Sequence, residues 1–286
     1  TTLTTTAIST ITMSSLSKNL EAINAEMETA LQQGDESALA CLFKFGKEPS
    51  LARLALEKLG APFHSYRTTD DNLNYNFHLR LSESSKALIE VIIKTLNLLT
   101  SNTGSNLGKV RHSTIYGGGF KKSSIVEVSR LVAQINSEFK EPLSAQITEV
   151  KVTPFYAMLA LKLDPKIMDI YWKIVDALSE HTHPNNRMYI PPWFKTLEES
   201  ILSKKLANIE AFGTHSIPAD RSEPEFHITV YYGAIPEDLK ERFSEILRPL
   251  IGRTISFGSV DFKPQNPNGS IDVTTEGGAA EGGAAL

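Results

Sequence analysis

The spacing of apolar residues predicts helices in the first fifth of the chain and alternating strands and helices after it. The first stretch repeats apolar side chains every three or four positions, at Leu16, Leu20, Ile23, Met27 and Leu31. Two more helical patterns follow at residues 35–45 and 50–59. We therefore predict a helical extension over residues 16–71. The Ser- and Thr-rich residues 1–15 that precede it are predicted to be disordered.

A different pattern begins near residue 72, where apolar and polar residues alternate in a way that is typical of a half-buried strand. The predicted elements are strands at 74–81, 110–116, 147–152, 155–163, 225–233 and 254–263, and helices at 82–99, 123–139, 164–181 and 236–251. Two adjacent strands form a hairpin, which excludes a wholly parallel sheet and favours an α+β fold with helices packed on sheets. We assign this domain to residues 72–263.

Prolines interrupt residues 182–222, so we interpret this segment as a loop-rich insert with one helix near 195–206. Residues 264–286 end in repeated Gly and Ala, which predicts a flexible tail. Gly117, Gly118 and Gly119 are predicted to end the strand that precedes them.

Composition restricts the classes of function. The chain has 286 residues, of which 41% are hydrophobic and 22% charged, and no apolar run is long enough to span a membrane. Its one cysteine, Cys41, excludes an internal disulfide and a cysteine-based zinc site, so we expect a reducing, cytoplasmic setting. A net charge of −4 argues against a protein that coats long nucleic acids. A small anionic substrate would need only a local positive pocket.

Two short strands carry the same chemical pattern, His112-Ser113-Thr114 and His227-Ile228-Thr229. Residues i and i+2 of a strand share a face, so each strand presents an imidazole and a hydroxyl together. One neutral imidazole can accept a proton from an attacking oxygen while a second, protonated imidazole donates one to a leaving oxygen. The two threonine hydroxyls can hydrogen-bond phosphate oxygens. This chemistry needs no metal and no cofactor.

The surroundings of the two motifs also match. Each is followed by Tyr and Gly, then by an amphipathic helix and a strand, which indicates a diverged internal duplication. On these residues the chain resembles the two-histidine phosphoesterase superfamily, the LigT-like or RNA 2′,5′-ligase-like group, over roughly residues 72–263. The resemblance implies two pseudo-symmetric β-sheet lobes with outer helices around a central cleft. It also implies cleavage of 2′,3′-cyclic phosphates, 2′,5′-linked oligonucleotides or RNA ends, with His112, His227, Thr114 and Thr229 as catalytic residues.

Further side chains near the motifs are candidates for substrate binding. By the i+2 rule the active face includes Tyr116 and Tyr231, which with Tyr156 could stack on a base. Arg111 and Lys121 could attract a phosphate. His78 and Arg80 share a face of the first strand and could reach the groove. We predict no metal site, since His181-Thr182-His183 has no further ligand at a recognisable spacing.

Alternatives remain open at this level. The same cleft could bind a nucleotide or RNA without cleaving it, or the protein could act in interactions through its N-terminal helices. An RNA-ligating reaction is also possible, because the same acid–base pair serves both directions of a transfer. The sequence does not assign which histidine is the base. We expect a small nucleotide or RNA-end substrate and no membrane partner.

Overall fold

The computed structural model describes residues 3–65, 72–100 and 112–264 of the chain. Its helices, in chain order, are α1 (Leu3–Gln33), α2 (Asp35–Gly46), α3 (Pro49–Leu59), α4 (Glu83–Leu99), α5 (Ile125–Glu138), α6 (Pro165–Ser179), α7 (Asn185–Met188), α8 (Glu199–Phe212) and α9 (Glu237–Leu247). Its strands are β1 (Asn72–Leu81), β2 (His112–Lys121), β3 (Leu143–Val152), β4 (Tyr156–Leu163), β5 (Phe226–Tyr232) and β6 (Thr254–Pro264). The predicted α+β class is confirmed. None of these helices combines enough length with enough apolar character to span a membrane.

The chain divides into two compact units, each built from two separate segments. A helical unit contains Thr1–Arg67 and Pro184–Ser222, and a sheet unit contains Thr68–His183 and Glu223–Leu286. The sequence prediction assigned the loop-rich insert to the same domain as the strands. In the structure, residues 184–222 instead complete the helical unit.

The helical unit has one core to which both of its segments contribute. Buried apolar side chains from the two segments pack together, among them Met27, Leu42, Leu59, Phe63, Phe194, Leu202, Leu206 and Ile209. Arg53 on α3 donates hydrogen bonds to the backbone carbonyls of Phe194, Lys195 and Leu197. These carbonyls belong to a short 3₁₀ turn and the residue after it, so one guanidinium holds the second segment to the first. The helix predicted at 195–206 begins only after this turn, as α8.

The prediction of disorder over residues 1–15 is wrong for the part that the structure describes, because α1 begins at Leu3. No Gly or Pro occurs between Thr1 and Gln33. Ser and Thr cost a helix only a few tenths of a kcal/mol each, so composition alone does not stop it. The predicted flexible tail lies outside the described residues, apart from Pro264 at the end of β6.

The sheet unit contains one antiparallel sheet of six strands in the order β2-β1-β6-β3-β4-β5. The resemblance implied two sheets, whereas here the sheet is continuous. Its first half, β2-β1-β6, and its second half, β3-β4-β5, are joined where Leu143–Gln146 pair with Thr254–Phe257. The two edge strands, β2 and β5, return to within 8 Å of each other between Cα atoms. The sheet is therefore strongly curled, and strands at its opposite edges lie side by side.

The first three strands along the chain and the last three occupy equivalent places in the sheet. Exchanging β1, β2 and β3 for β4, β5 and β6 reverses the strand order and otherwise leaves it unchanged. The third strand of each set of three pairs with the first strand of the other set. β2 and β5, the strands that carry the His-x-Thr motifs, occupy equivalent places at the two edges.

The three consecutive glycines lie inside β2 and do not end it, which corrects the sequence prediction. Gly117, Gly118 and Gly119 pair with residues 76, 75 and 74 of β1. At the other edge of β2, the amide of His183 donates to the carbonyl of Gly119 at 3.0 Å. The segment around Thr182 thus covers part of this sheet edge, and edge pairing accounts for where His181-Thr182-His183 lies.

One side chain completes the sheet where its two halves separate. Beyond Phe257, β6 no longer pairs with β3, and the backbone of Val260 faces α5 instead. The amide group of Asn136 donates to the Val260 carbonyl at 2.9 Å and accepts from its N–H at 2.7 Å. Asn136 therefore replaces a missing strand residue and removes two unsatisfied backbone groups.

We predict that Asn136→Ala lowers the free energy of unfolding by about 1–3 kcal/mol, because both Val260 backbone groups lose their partner. Urea denaturation followed by circular dichroism measures this. Gln134→Ala, at an exposed position of the same helix, is the control and should change stability by less than about 0.5 kcal/mol. Equal stability of the two variants would contradict the role given to Asn136.

Candidate active site

The two His-x-Thr motifs lie in the same register against their neighbouring strands. On β2, His112 is opposite Arg80 and Thr114 is opposite His78. On β5, His227 is opposite Ala160 and Thr229 is opposite Met158. Directly opposed residues of an antiparallel pair share one face of the sheet. All four motif side chains therefore lie on one face, which we call the site face.

Helices cover the other face of the sheet. Phe226, the neighbour of His227, points away from the site face. The centroid of its ring lies 5.2 Å from that of Tyr171 on α6. Tyr231 meets the ring of Phe243 on α9 at 5.0 Å. Because apolar side chains on this opposite face form the core, polar side chains are left to line the site face.

A β-bulge follows the threonine of each motif. The register slips by one residue at Ile115 in β2, since Thr114 pairs with His78 but Tyr116 pairs with Phe77. It slips in the same way at Val230 in β5, where Thr229 and Tyr231 pair with consecutive residues of β4. An extra residue of this kind reverses the face of every side chain beyond it.

The bulges overturn the prediction that Tyr116 and Tyr231 share the face of the histidines. Tyr116 is fully buried and Tyr231 is 3% exposed, so both belong to the core and neither can stack on a substrate. Tyr232 takes the predicted place instead, being 58% exposed and opposite Tyr156 on the site face. A bulge has no clear signature in this sequence, which is why the i+2 rule selected the wrong tyrosine.

The other three residues that the sequence predicted to bind substrate differ in where they lie. Tyr156 lies on the site face, as its pairing with Tyr232 requires. Lys121 lies at the opposite end of β2 from His112, after about 30 Å of strand rise, which is too far to attract a phosphate to that histidine. Arg111 lies outside the described residues.

His112 stands in a cluster of side chains from β1 and β6. The rings of His78 and His112 are 3.7 Å apart between centroids. Asp261, opposite His78, lies 3.5 Å from the guanidinium of Arg80 and 3.4 Å from the ammonium of Lys263. Two cations therefore contact one carboxylate in the surroundings of His112. Nε2 of His78 is buried with no hydrogen-bond partner among the described residues.

This environment lowers the pKa of His112 from its ordinary value of 6.5 to about 4. Burial is the main cause, because an imidazolium loses its hydration there. Repulsion by His227 is the second cause, followed by Lys263 and Arg80. The two imidazoles are thus close enough for the charge of one to affect the other. The pKa of His78 is also well below its ordinary value, first through burial and then through His112.

His227 is less strongly affected. Partial desolvation lowers its pKa, the carboxylate of Glu225 opposes that change, and Lys151 adds a small repulsion. His227 is also the more exposed of the two motif histidines. When the pair takes up protons, the first therefore goes to His227, and its charge then disfavours protonation of His112.

A pocket of about 390 Å³ opens beside His227 on the site face. Its walls come from β3, β4 and the segment that leads into β5. They include Thr148, Glu149, Lys151, Met158, Ala160, Lys162, Glu223 and Glu225. The volume lies at the small end of the range for ligand pockets.

The arrangement can transfer protons on both sides of a bound phosphoryl group. It provides one imidazole held neutral, one imidazole that takes up a proton more easily, and two hydroxyls on the same face. No three His, Cys, Asp or Glu side chains of the described segments are grouped so that they could hold a metal ion. No protein-family model and no curated protein matches the chain. The placement of both His-x-Thr motifs on one face of the sheet is the feature that indicates a function.

We predict that His227→Gln raises the pKa of His112 above about 4, because an uncharged side chain no longer repels the imidazolium. The value should stay below 6.5, since burial remains the larger cause. An NMR titration of the histidine ring protons measures it. Glu225→Gln is the matched control: it should lower the pKa of His227, whose imidazolium loses a stabilising carboxylate. An unchanged pKa of His112 in His227→Gln would show that the two rings do not interact.

Proposed function

We propose that this protein is a metal-independent phosphodiesterase that acts on 2′,5′-linked oligonucleotides, 2′,3′-cyclic phosphates or RNA ends. We also propose that it is related to the two-histidine phosphoesterases, which its sequence motifs resemble. His112 and His227 exchange protons with the attacking and leaving oxygens, and Thr114 and Thr229 hold the phosphate by hydrogen bonds.

The observation that carries the proposal is the matched setting of the two His-x-Thr motifs. Both lie on edge strands at equivalent places in the sheet, in equal register, and both are followed by a bulge at the next residue. Two further register shifts, at Thr148 in β3 and at Gly258 in β6, also lie at equivalent positions of the two halves. Correspondence at this level supports an internal duplication around a pseudo-twofold axis between β3 and β6.

The separation of the two pKa values supports an assignment of roles. His112, held neutral by burial and nearby cations, is suited to be the general base. His227, stabilised as imidazolium by Glu225, is suited to be the general acid. Water attacks phosphorus and gives its proton to His112, while the bond to the leaving oxygen breaks and that oxygen takes the proton of His227.

Nearby charges suit an anionic substrate. Arg80 and Lys263 lie close enough to His112 to lower its pKa, so a phosphate bound between the motifs would lie near two cations. The same cations hinder protonation of His112. A bound phosphate would offset their effect by bringing negative charge to the site.

A nucleotide-binding module without catalysis is the alternative that shares this site. It requires the same groove but no proton transfer, so the kinetic test below separates the two. The third reading, an interaction protein acting through its N-terminal helices, is less well supported. Many apolar side chains of those helices, from Met27 to Phe63, are buried in one core with residues 184–222.

We predict that His112→Ala and His227→Ala each lower kcat by about 10²- to 10⁴-fold, because each removes one partner in proton transfer. The assay is hydrolysis of 2′,3′-cyclic nucleotides and 2′,5′-linked oligoadenylate in the presence of EDTA. His181→Ala, a histidine outside the site face, is the control and should retain wild-type activity.

Two results would count against the proposal. The acid–base mechanism would be wrong if either motif variant kept near wild-type turnover. If the wild-type protein bound these nucleotides but turned over none of them, the non-catalytic module would be the better reading.

The pH dependence of kcat/KM should be bell-shaped with its maximum below pH 6.5. Activity rises as His112 loses its proton near pH 4 and falls as His227, whose pKa is also below 6.5, loses its own. The reverse assignment of roles gives the same bell shape, so the position of the maximum tests the environment of the pair. Initial rates between pH 3.5 and 8 measure it, and a maximum above pH 7 would contradict the prediction.

A further inference from the structure

The two halves of the sheet unit differ at a few equivalent positions, and these differences lie next to the motifs. Aligning the halves by their strand register pairs Asn76 with Tyr156, Gly117 with Tyr232, His78 with Met158 and Arg80 with Ala160. The first half therefore presents polar, cationic or small side chains where the second half presents aromatic and apolar ones. A symmetric site would treat both sides of a phosphate alike, and this site does not.

The replacement of Arg80 by Ala160 leaves room for the pocket beside His227. Ala160 lies opposite His227 and lines the 390 Å³ pocket, whereas the equivalent Arg80 reaches Asp261 across the first half. A methyl group in place of a guanidinium leaves this position of the second half open.

The charges of the pocket favour an uncharged, hydrogen-bonding ligand. Three carboxylates line it, from Glu149, Glu223 and Glu225, together with two ammonium groups, from Lys151 and Lys162. Lys151 is 3.5 Å from Glu149, so part of this charge is neutralised internally. With His227 protonated as the proposed general acid, these charges balance, so a further phosphate meets no net attraction here. Ribose hydroxyls and the amino group of a base would find acceptors.

A pair of tyrosines, one exposed and one partly buried, lies on the site face next to the motif. Tyr156 and Tyr232 face each other across β4 and β5, about 5 Å apart at Cβ as directly opposed residues are. The equivalent place in the first half carries Asn76 and Gly117, and Oδ1 of Asn76 occupies the space that a Cβ on Gly117 would need, 2.4 Å from it. Exposed aromatic rings at a nucleotide site stack on bases irrespective of their sequence.

The motif of β5 lies beside both features. Along β4 the order is Tyr156, Met158 opposite Thr229, then Ala160 opposite His227. Met158 and Ala160 both line the pocket, so the pocket begins about 7 Å of strand rise from Tyr156. We propose that the substrate is a phosphodiester that links two nucleosides. One base stacks on Tyr156 and Tyr232, and the leaving nucleoside occupies the pocket beside His227. This inference rests on the proposed function and selects linear 2′,5′-linked dinucleotides over cyclic mononucleotides.

The test compares 2′,5′-linked diadenosine monophosphate, which fills both places, with adenosine 2′,3′-cyclic phosphate, which has one nucleoside. Wild-type kcat/KM should be higher for the dinucleotide by about tenfold or more, since the second nucleoside adds binding energy. Tyr232→Ala should lower kcat/KM for the dinucleotide roughly 10- to 100-fold through loss of stacking. Tyr232→Phe, which keeps the ring, should restore most of it.

Ala160→Arg makes the second half resemble the first and fills the pocket. It should lower the ratio of dinucleotide to cyclic activity by about tenfold or more, and thermal denaturation checks that the variant is folded. A wild-type protein inactive on both substrates would defeat the proposed function itself. A wild-type protein that hydrolyses both, with a ratio that Ala160→Arg leaves unchanged and a dinucleotide rate that Tyr232→Ala leaves unchanged, would overturn this inference alone.

Discussion

The site depends on a strict rule of strand geometry and on one local exception to it. Side chains alternate between the two faces of a strand, so a motif of the form His-x-Thr places both functional groups on one face. If that alternation continued, Tyr116 and Tyr231 would leave the core, and two large rings would be exposed. The bulges at Ile115 and Val230 reverse the faces one residue after each threonine. The same strands can therefore supply polar groups to the groove and aromatic rings to the core.

The second constraint is burial next to positive charge, which lowers the pKa of His112 more than that of His227. His112 lies against His78 and close to Arg80 and Lys263, so both desolvation and repulsion oppose its protonation. His227 is more exposed, and the carboxylate of Glu225 favours its charged form. The neighbours of two similar motifs on equivalent strands thus affect the protonation of their histidines differently. The third histidine, His78, has no counterpart in the second half, where Met158 stands in its place.

Much of this structure could be predicted from the sequence, because hydrophobic periodicity reports local structure directly. The order of strands and helices after residue 72 agrees with the prediction, and α4 ends at the predicted Leu99. Features that depend on contacts between distant segments could not be predicted. Residues 184–222 belong with the N-terminal helices because their apolar side chains share a core, and their own pattern carries no sign of the partner. The glycines of β2 indicated a turn, yet neighbours on both sides hold them in the sheet.

The two halves of the sheet can be compared position by position, because their strand order, motif register and bulges match. In the proposed function, the features shared by both halves serve the proton transfer, and the positions that differ determine what is bound on each side. In this chain, they surround the motifs with cations on the side of His112 and with a pocket and two tyrosines on the side of His227. For the proposed phosphodiesterase, this asymmetry suits a substrate with two unlike ends. An asymmetric phosphodiester, in which one nucleoside keeps the phosphate and the other leaves, has that property.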